Sequence, residues 1–310
     1  MCKLRRLLLI VLFLVVLIEF ILRYCFGFCD ALLYKESNSY EYIAQPNQDR
    51  CRFGAKIHYN SFSQRCEEPD STKTKILGVG DSVIFGGTWM DQDSLATTLF
   101  TNDTGVQMLN ISAGSWGPDN CFAYLEKHGI FGAEAIILVC SSHDAYDTMS
   151  FKNVVGESPN YPKEQYISAI VELLHRYLWP RMCVYVKKNG VIIDPDEEVV
   201  THMDNNRVAK KTNKFNPGFE GIKTIADSLG IPFIIYLHAE LGELKRGEYN
   251  EMGKSIIKWA SDNNVILVSG LEEGESSNMY EDVIHFNAVG QRYLADCLKK
   301  ILYRDIIKES

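Results

Sequence analysis

The sequence predicts a three-layer α/β/α domain with a central parallel sheet, preceded by a transmembrane helix. Three observations carry that prediction. Short apolar runs at 76–79, 106–111, 135–140, 232–237 and 265–268 alternate with helical patterns at 94–100, 120–128, 164–178, 222–229, 249–262 and 288–302. Strands separated by helices imply a parallel sheet covered on both faces. At 310 residues and 46% hydrophobic, the chain can bury one substantial core. Finally, a basic cluster followed by an aliphatic run opens the sequence.

That opening combines Lys3, Arg5 and Arg6 with an aliphatic stretch over 7–18, which resumes after Glu19 as Phe20, Ile21 and Leu22. Positive charge ahead of such a run is an export signal. No small-x-small cleavage site follows, and Arg23-Tyr24-Cys25-Phe26 has the aromatic character of a membrane interface. Residues 1–28 are therefore read as an uncleaved signal-anchor that meets the bilayer through residues 7–28. Its basic end is cytoplasmic and the bulk of the chain periplasmic or extracellular; a cleaved signal peptide is the competing reading. The uninterrupted core is short against the roughly 20 residues a bilayer needs. Glu19 must then snorkel or be neutralised, or the span runs on toward Phe28.

Residues 29–74 are polar and tyrosine-rich without a helical period, an extended lead-in packing along the domain. Asn60 and Arg65 within it are read as structural anchors rather than site residues. Residues 75–310 form the main domain. One stretch breaks its rhythm: apolar segments flank Lys188-Asn189-Gly190, a hairpin signal, and a polar stretch with Lys210, Lys211 and Lys214 follows. This marks an insertion at about 180–216, either a cap or a peripheral decoration, its lysines a solvated face.

Composition excludes some partners. A net charge of −8 argues against a nucleic-acid surface, which needs clustered lysine and arginine. The nine cysteines show no metal-ligand spacing. Cys51 and Cys66 could pair in an oxidising compartment, and Cys140 reads as a buried hydrophobe.

The stretch K-I-L-G-V-G-D-S-V-I-F-G at 75–86 delivers Ser82 from a strand to a glycine-flanked turn at the mouth of a helix. Such a serine is exposed at the carboxyl edge of the sheet, where α/β folds place their sites. Gly80 permits a backbone path that a side chain would obstruct. Far along the chain, Asp282-Val283-Ile284-His285 precedes a helix starting near Asn287. A serine nucleophile needs a base, and the base needs a carboxylate to fix its tautomer. Asp282, His285 and Ser82 supply all three. Asp81 is read as ordering the turn. His238 follows strand residues 233–237 at the sheet's carboxyl edge, where it could line the pocket, although a surface or satisfied core position is commoner.

Through G-D-S-V-I-F-G, N-I-S-A-G-S-W-G-P-D-N, S-S-H-D and D-V-I-H-F-N-A-V-G-Q, the sequence resembles the SGNH (GDSL) hydrolase family, in its membrane-anchored bacterial type, over residues 75–302. The resemblance implies an SGNH/flavodoxin-like fold and catalysis by Ser82, Asp282 and His285 with no cofactor and no metal. It implies an oxyanion hole from the Ser82 N–H, an N–H of Gly114 or Ser115, and a side chain of the third block. There the family has asparagine and this chain has His143, whose N–H donor is pH-sensitive and needs its tautomer held, with Asp144 the candidate partner. The implied activity is an exported serine esterase removing acyl groups, acetyl foremost, from a glycan, another surface molecule or a small ester. Two alternatives stand beside it: an O-acyltransferase working with membrane proteins of polysaccharide biosynthesis, and a weak or inactive binding module.

Overall fold

A computed structural model describes residues 2–179, 181–182, 208 and 210–307. Its first element, α1 (Cys2–Phe26), contains a stretch, Lys3–Phe26, long and apolar enough to cross a membrane. The helix stops at a left-handed Gly27 (φ 69°). There the Gly27 N–H donates to the Arg23 carbonyl and the Phe28 N–H to that of Leu22, both at 3.1 Å. No side chain fits at the exit, because a Cβ on Gly27 would lie 2.1 Å from the Cys51 carbonyl oxygen.

The lead-in is more structured than its composition suggests. It folds into two antiparallel hairpins, β1 (Tyr34–Ser37) with β2 (Glu41–Ala44) and β3 (Gln48–Arg52) with β4 (Ala55–Tyr59). Its tyrosines are buried on the domain: the Tyr34 and Tyr42 rings pack edge-on against Tyr161 at 5.1 and 4.8 Å. Trp116 donates its indole N–H to the Tyr42 carbonyl at 2.9 Å. Asn60 and Arg65 are buried anchors. The Arg65 guanidinium donates to the carbonyls of Phe85, Gly87 and Met90 at 2.6, 2.5 and 2.7 Å. Cys51 and Cys66 are both free, Cys51 exposed and Cys66 buried.

The main domain begins with β5 (Lys75–Gly80), the short helix α2 (Ser82–Phe85), α3 (Ala96–Thr104) and β6 (Gln107–Ser112). It continues with α4 (Pro118–His128), β7 (Ile136–Ser141) and a ribbon of β8 (Asp147–Thr148). The helix expected over 164–178 starts later, as α5 (Ala169–Glu172), and runs on in π-type turns over Leu173–Leu178. Ser168 accepts from the Val171 N–H as N-cap, which sets the start. Residues β9 (Lys210–Lys211) complete the ribbon with β8. The hairpin expected around Lys188-Asn189-Gly190 lies outside the described residues, as does most of the 180–216 insertion. The chain closes with α6 (Gly218–Leu229), β10 (Phe233–His238), α7 (Leu241–Arg246), α8 (Glu251–Asp262), β11 (Ile266–Ser269), α9 (Gly270–Glu273) and α10 (Ala288–Ile301).

Five of the strands pair in parallel in the order β11-β10-β7-β5-β6, the 2-1-3-4-5 order of a flavodoxin-like sheet. Both faces are buried, and the two-residue period sorts side chains between two cores. Leu77, Val79, Leu138 and Ile235 face α4, α6 and α8, whereas Ile76, Ile137, Val139 and Ile234 face α3 and α10. The strand order reverses between β5 and β7, and the crevice at that reversal is where such sheets bind ligands.

Arg65 is buried against three carbonyls and no carboxylate, so it is the fold's most exposed point to substitution in the lead-in. Arg65→Ala strands those acceptors, each costing about 1–3 kcal/mol when left unpaired. We expect a loss of about 3 kcal/mol or more in reversible unfolding, with Arg65→Lys restoring only part. A loss under about 1 kcal/mol would show that water replaces the guanidinium at little cost.

Candidate active site

Ser82 leaves β5 at the sheet's carboxyl edge because Gly80 passes close to β7. A Cβ on Gly80 would fall 2.2 Å from the Val139 carbonyl oxygen. Asp81 then caps α2, its Oδ1 accepting from the Val83 N–H at 2.8 Å. At the other end of the domain, Asn287 caps α10 by accepting from the Val289 and Gly290 N–H groups. The turn before it carries Asp282 and His285.

These two segments meet. His285 Nε2 lies 2.9 Å from Ser82 Oγ, and His285 Nδ1 lies 2.7 Å from Asp282 Oδ2. The other oxygen of Asp282 accepts from the backbone N–H groups of Ile284 and His285, at 2.9 and 2.8 Å. Burial disfavours the ionised carboxyl, but the His285 ring and these two amides outweigh it and hold Asp282 down at about 2. It is therefore a carboxylate throughout the neutral range, able to fix Nδ1–H and leave Nε2 as the acceptor facing the hydroxyl.

A buried glutamine sets this meeting. Gln291, one turn into α10, donates to the Val83 carbonyl at 3.0 Å and accepts from the Ala96 N–H at 2.9 Å. It thereby ties the helix following His285 to the residue following Ser82. Behind the Asp282 turn, His238 donates from Nε2 to the Ile284 carbonyl at 2.7 Å and pairs through Nδ1 with Glu275 at 3.0 Å. Glu275 also accepts from Tyr236, Tyr280 and the Ala239 N–H. Burial opposes charge on both members, yet their mutual attraction prevails: His238 is raised and Glu275 lowered. His238 is thus a core residue and a support, fully buried rather than lining the crevice.

The expected oxyanion-hole positions gather at the same edge. The register Gly80↔Ser112 places Gly114 and Ser115 in the loop next to that of Ser82. The Gly114 carbonyl accepts from the Tyr42 hydroxyl at 2.6 Å, so the trans peptide turns the Ser115 N–H the opposite way. Ser115 itself takes a left-handed conformation (φ 61°). The pairing of β5 with β7 brings His143 alongside, in the turn Ser142–Ala145.

His143 is held differently from the expectation. Its Nδ1 meets Glu240 at 3.2 Å, a residue the sequence reading did not single out. Asp144 instead caps the strand exit, accepting from the Ser141 N–H at 2.8 Å. Nε2 lies 3.8 Å from both Asp81 Oδ2 and Asp144 Oδ1, beyond hydrogen-bond reach of either. Burial works against a charged ring here, but Asp144, Glu240 and Asp81 overcome it and push His143 up to about 9. Burial also raises Asp81 and Asp144, so the site confines one imidazolium among carboxyl groups that ionise reluctantly. Asp81, His143 and Asp144 each offer one ligand atom within 4.8 Å of one another, the metal-type grouping among the described residues. A protonated ring and an ion would compete for the same carboxylates.

Of the features missed in the sequence, Glu240 had a signal, since it lies just past the carboxyl end of β10. Gln291 had none beyond a polar residue on an otherwise apolar helix face, and Glu275, in the polar loop after α9, had none. Trp89 stands at the rim, half-exposed, its ring centroid 5.5 Å from that of His285 in an edge-on contact.

No family model and no curated protein matches the chain. Solved structures of similar shape include a member of the lipolytic G-D-S-L family from Veillonella parvula, at 12% identity and a TM-score of 0.40, covering 74% of this chain and 99% of that one. A psychrotrophic esterase from Pseudoalteromonas sp. matches at 12% and 0.40, over 74% and 96%. The lipase/acylhydrolase from Enterococcus faecalis matches at 11% and 0.42, over 76% and 99%. At such identities and scores the chemistry of this chain has to be argued from its own side chains.

The position of His143 yields a pH signature. Its pKa is raised above the ordinary 6.5, so the stability its charge contributes is fully present below about 6.5 and is lost as the pH rises through about 9. Nitrogen-15 histidine spectra should show a charged His143 at about pH 7.5, and stability should fall between about pH 7 and 10. His143→Asn should flatten that fall; a neutral ring at pH 7.5 would contradict the assignment.

Proposed function

We propose that this chain is a membrane-anchored, exported serine ester hydrolase of SGNH type that works through an acyl-Ser82 intermediate. The observation that carries the reading is the continuous hydrogen-bonded line from Ser82 Oγ through the His285 ring to Asp282. In the first half-reaction Ser82 Oγ attacks the ester carbonyl and His285 Nε2 takes the hydroxyl proton. The tetrahedral intermediate collapses, the ester C–O bond breaks, and the imidazolium returns the proton to the departing alcohol. Water then attacks the acyl-serine with His285 again as base, releasing the acid and restoring Ser82.

Charge on the carbonyl oxygen is met by the Ser82 N–H at the start of α2, an N–H of Gly114 or Ser115, and His143. A ring charged near neutrality is a stronger donor to an oxyanion than a neutral amide. It replaces the amide side chain of the related motif while keeping the same task.

The anchor assignment rests on α1. Lys3, Arg5 and Arg6 at its start favour a cytoplasmic N-terminus, which leaves residues 29–310 on the far side of the membrane. For the substrate we propose an acylated glycan or similar surface molecule, with acetyl the acyl group. The half-exposed Trp89 beside His285 supports this, since it offers an apolar ring face at the rim to the flat face of a sugar.

With a chromogenic acetyl ester, Ser82→Ala should lower kcat/KM by about 10³-fold or more, and Asp282→Asn by about 10²–10⁴-fold. A fluorophosphonate should label the native chain and not Ser82→Ala. An unlabelled native chain with no hydrolysis of any short acyl ester would falsify the enzyme reading. Supplied with acetylated donor and glycan acceptor, the protein should give acetate as the main product; acetyl recovered mainly on glycan hydroxyls would make it a transferase.

A further inference from the structure

The feature the esterase reading leaves unused is an apolar stripe beside α1. From Ile167, two residues ahead of α5, through Val171, Leu174 and Leu178 to Met182, apolar side chains recur every three to four residues, and all are exposed, Ile167 by 95%. Trp179 stands next to them at 62%. The opposite side of the same helix is polar and bound to the domain. Glu172 is buried and pairs with Arg52 at 2.6 Å while accepting from the Cys29 N–H at 2.6 Å. Tyr177 accepts from Arg52 at 2.8 Å. The helix is thus amphipathic with its apolar side turned away from the protein.

What lies against that side follows from how the helix is fastened. Glu19, the one acidic residue inside α1, accepts from the Ser168 hydroxyl at 2.9 Å and from the Ala169 and Ile170 N–H groups at 2.8 and 3.0 Å. Arg23 bridges Glu19 and the Ile167 carbonyl. A carboxylate at a helix N-terminus is doubly favoured, by its hydrogen bonds and by the helix dipole. The start of α5 is therefore pinned at the level of Glu19. Glu19 precedes the end of α1 by about 10 Å at ~1.5 Å per residue. The Lys3–Phe26 stretch spans about 36 Å by the same rise, against a hydrocarbon core of about 30 Å. An apolar face fixed at that depth continues the lipid-facing surface of α1.

We propose that α5 and its continuation form a second membrane-contacting element, lying in the interfacial layer of the bilayer that α1 crosses, with the stripe among the lipid tails and Trp179 at the headgroup boundary. This rests on the anchored reading given above. It resolves the charge inside α1 without snorkelling, because Glu19 is neutralised by Arg23 and by the helix it caps. It also fixes the domain's orientation on the membrane, which a single helix with a flexible exit would leave free.

The full chain reconstituted in phosphatidylcholine/phosphatidylglycerol vesicles tests this. Bromine-labelled lipid tails should quench tryptophan emission, and Trp179→Phe should reduce that quenching about twofold or more. Val171→Glu with Leu174→Glu should reduce it similarly without altering thermal unfolding, since both positions are exposed. Resistance to alkaline carbonate extraction reports separately on α1. A resistant chain whose quenching is the same with and without Trp179 overturns the interfacial placement while the anchor stands. An extractable chain overturns both. Loss of quenching accompanied by a cross-linked dimer through position 179 would assign the stripe to a second copy instead.

Discussion

The contact between Ser82 Oγ and His285 Nε2 joins residues 203 positions apart, and most of the domain's unusual features exist to make that contact hold. Neither segment positions itself. Ser82 depends on a strand exit that only glycine can negotiate against Val139, and on Asp81 to start the helix. His285 depends on a turn pinned from below by His238 and from the side by α10. Gln291 connects the two directly, with one amide bridging Val83 and Ala96. A fully buried amide satisfied at both ends fixes direction as well as distance, which apolar packing alone would not.

Charge is used economically around this line. Two histidines sit between acceptors at the carboxyl edge of the sheet, and each is supplied with a carboxylate partner. Glu275 holds His238 deep beneath the Asp282 turn, where its task is support. Glu240 holds His143 near Asp81, the residue preceding Ser82. Burying such rings is costly unless their partners come with them, so the acidic residues on β10's exit and in the following turns are as much a part of the site as the rings.

The lead-in links the exit of α1 to the site. Arg52 reaches the exit of α1 through the Gly27 carbonyl and α5 through Glu172. Arg65, further along the same segment, grips three carbonyls at and just after the end of α2. Two buried arginines thus anchor the segment, Arg52 from the end of β3 and Arg65 from the loop after β4. The tyrosines of that polar segment, Tyr34, Tyr40, Tyr42 and Tyr59, are buried with them.

The alternation of apolar runs with helical periods determined the α/β layering, because a strand buried on both faces must be apolar throughout and a covering helix must show its 3.6-residue stripe. The residue types of the site were equally legible: a serine after a glycine-bearing strand, and an aspartate three residues before a histidine at a helix start. The strand order, the hairpins of the lead-in, the late start of α5 and the partner of His143 were decided only by tertiary structure. Each depends on contacts between residues far apart in sequence, such as Glu19 with Ser168, Glu240 with His143 and Gln291 with Val83. Local pattern records which way a side chain faces; it carries no record of what the fold brings to meet it.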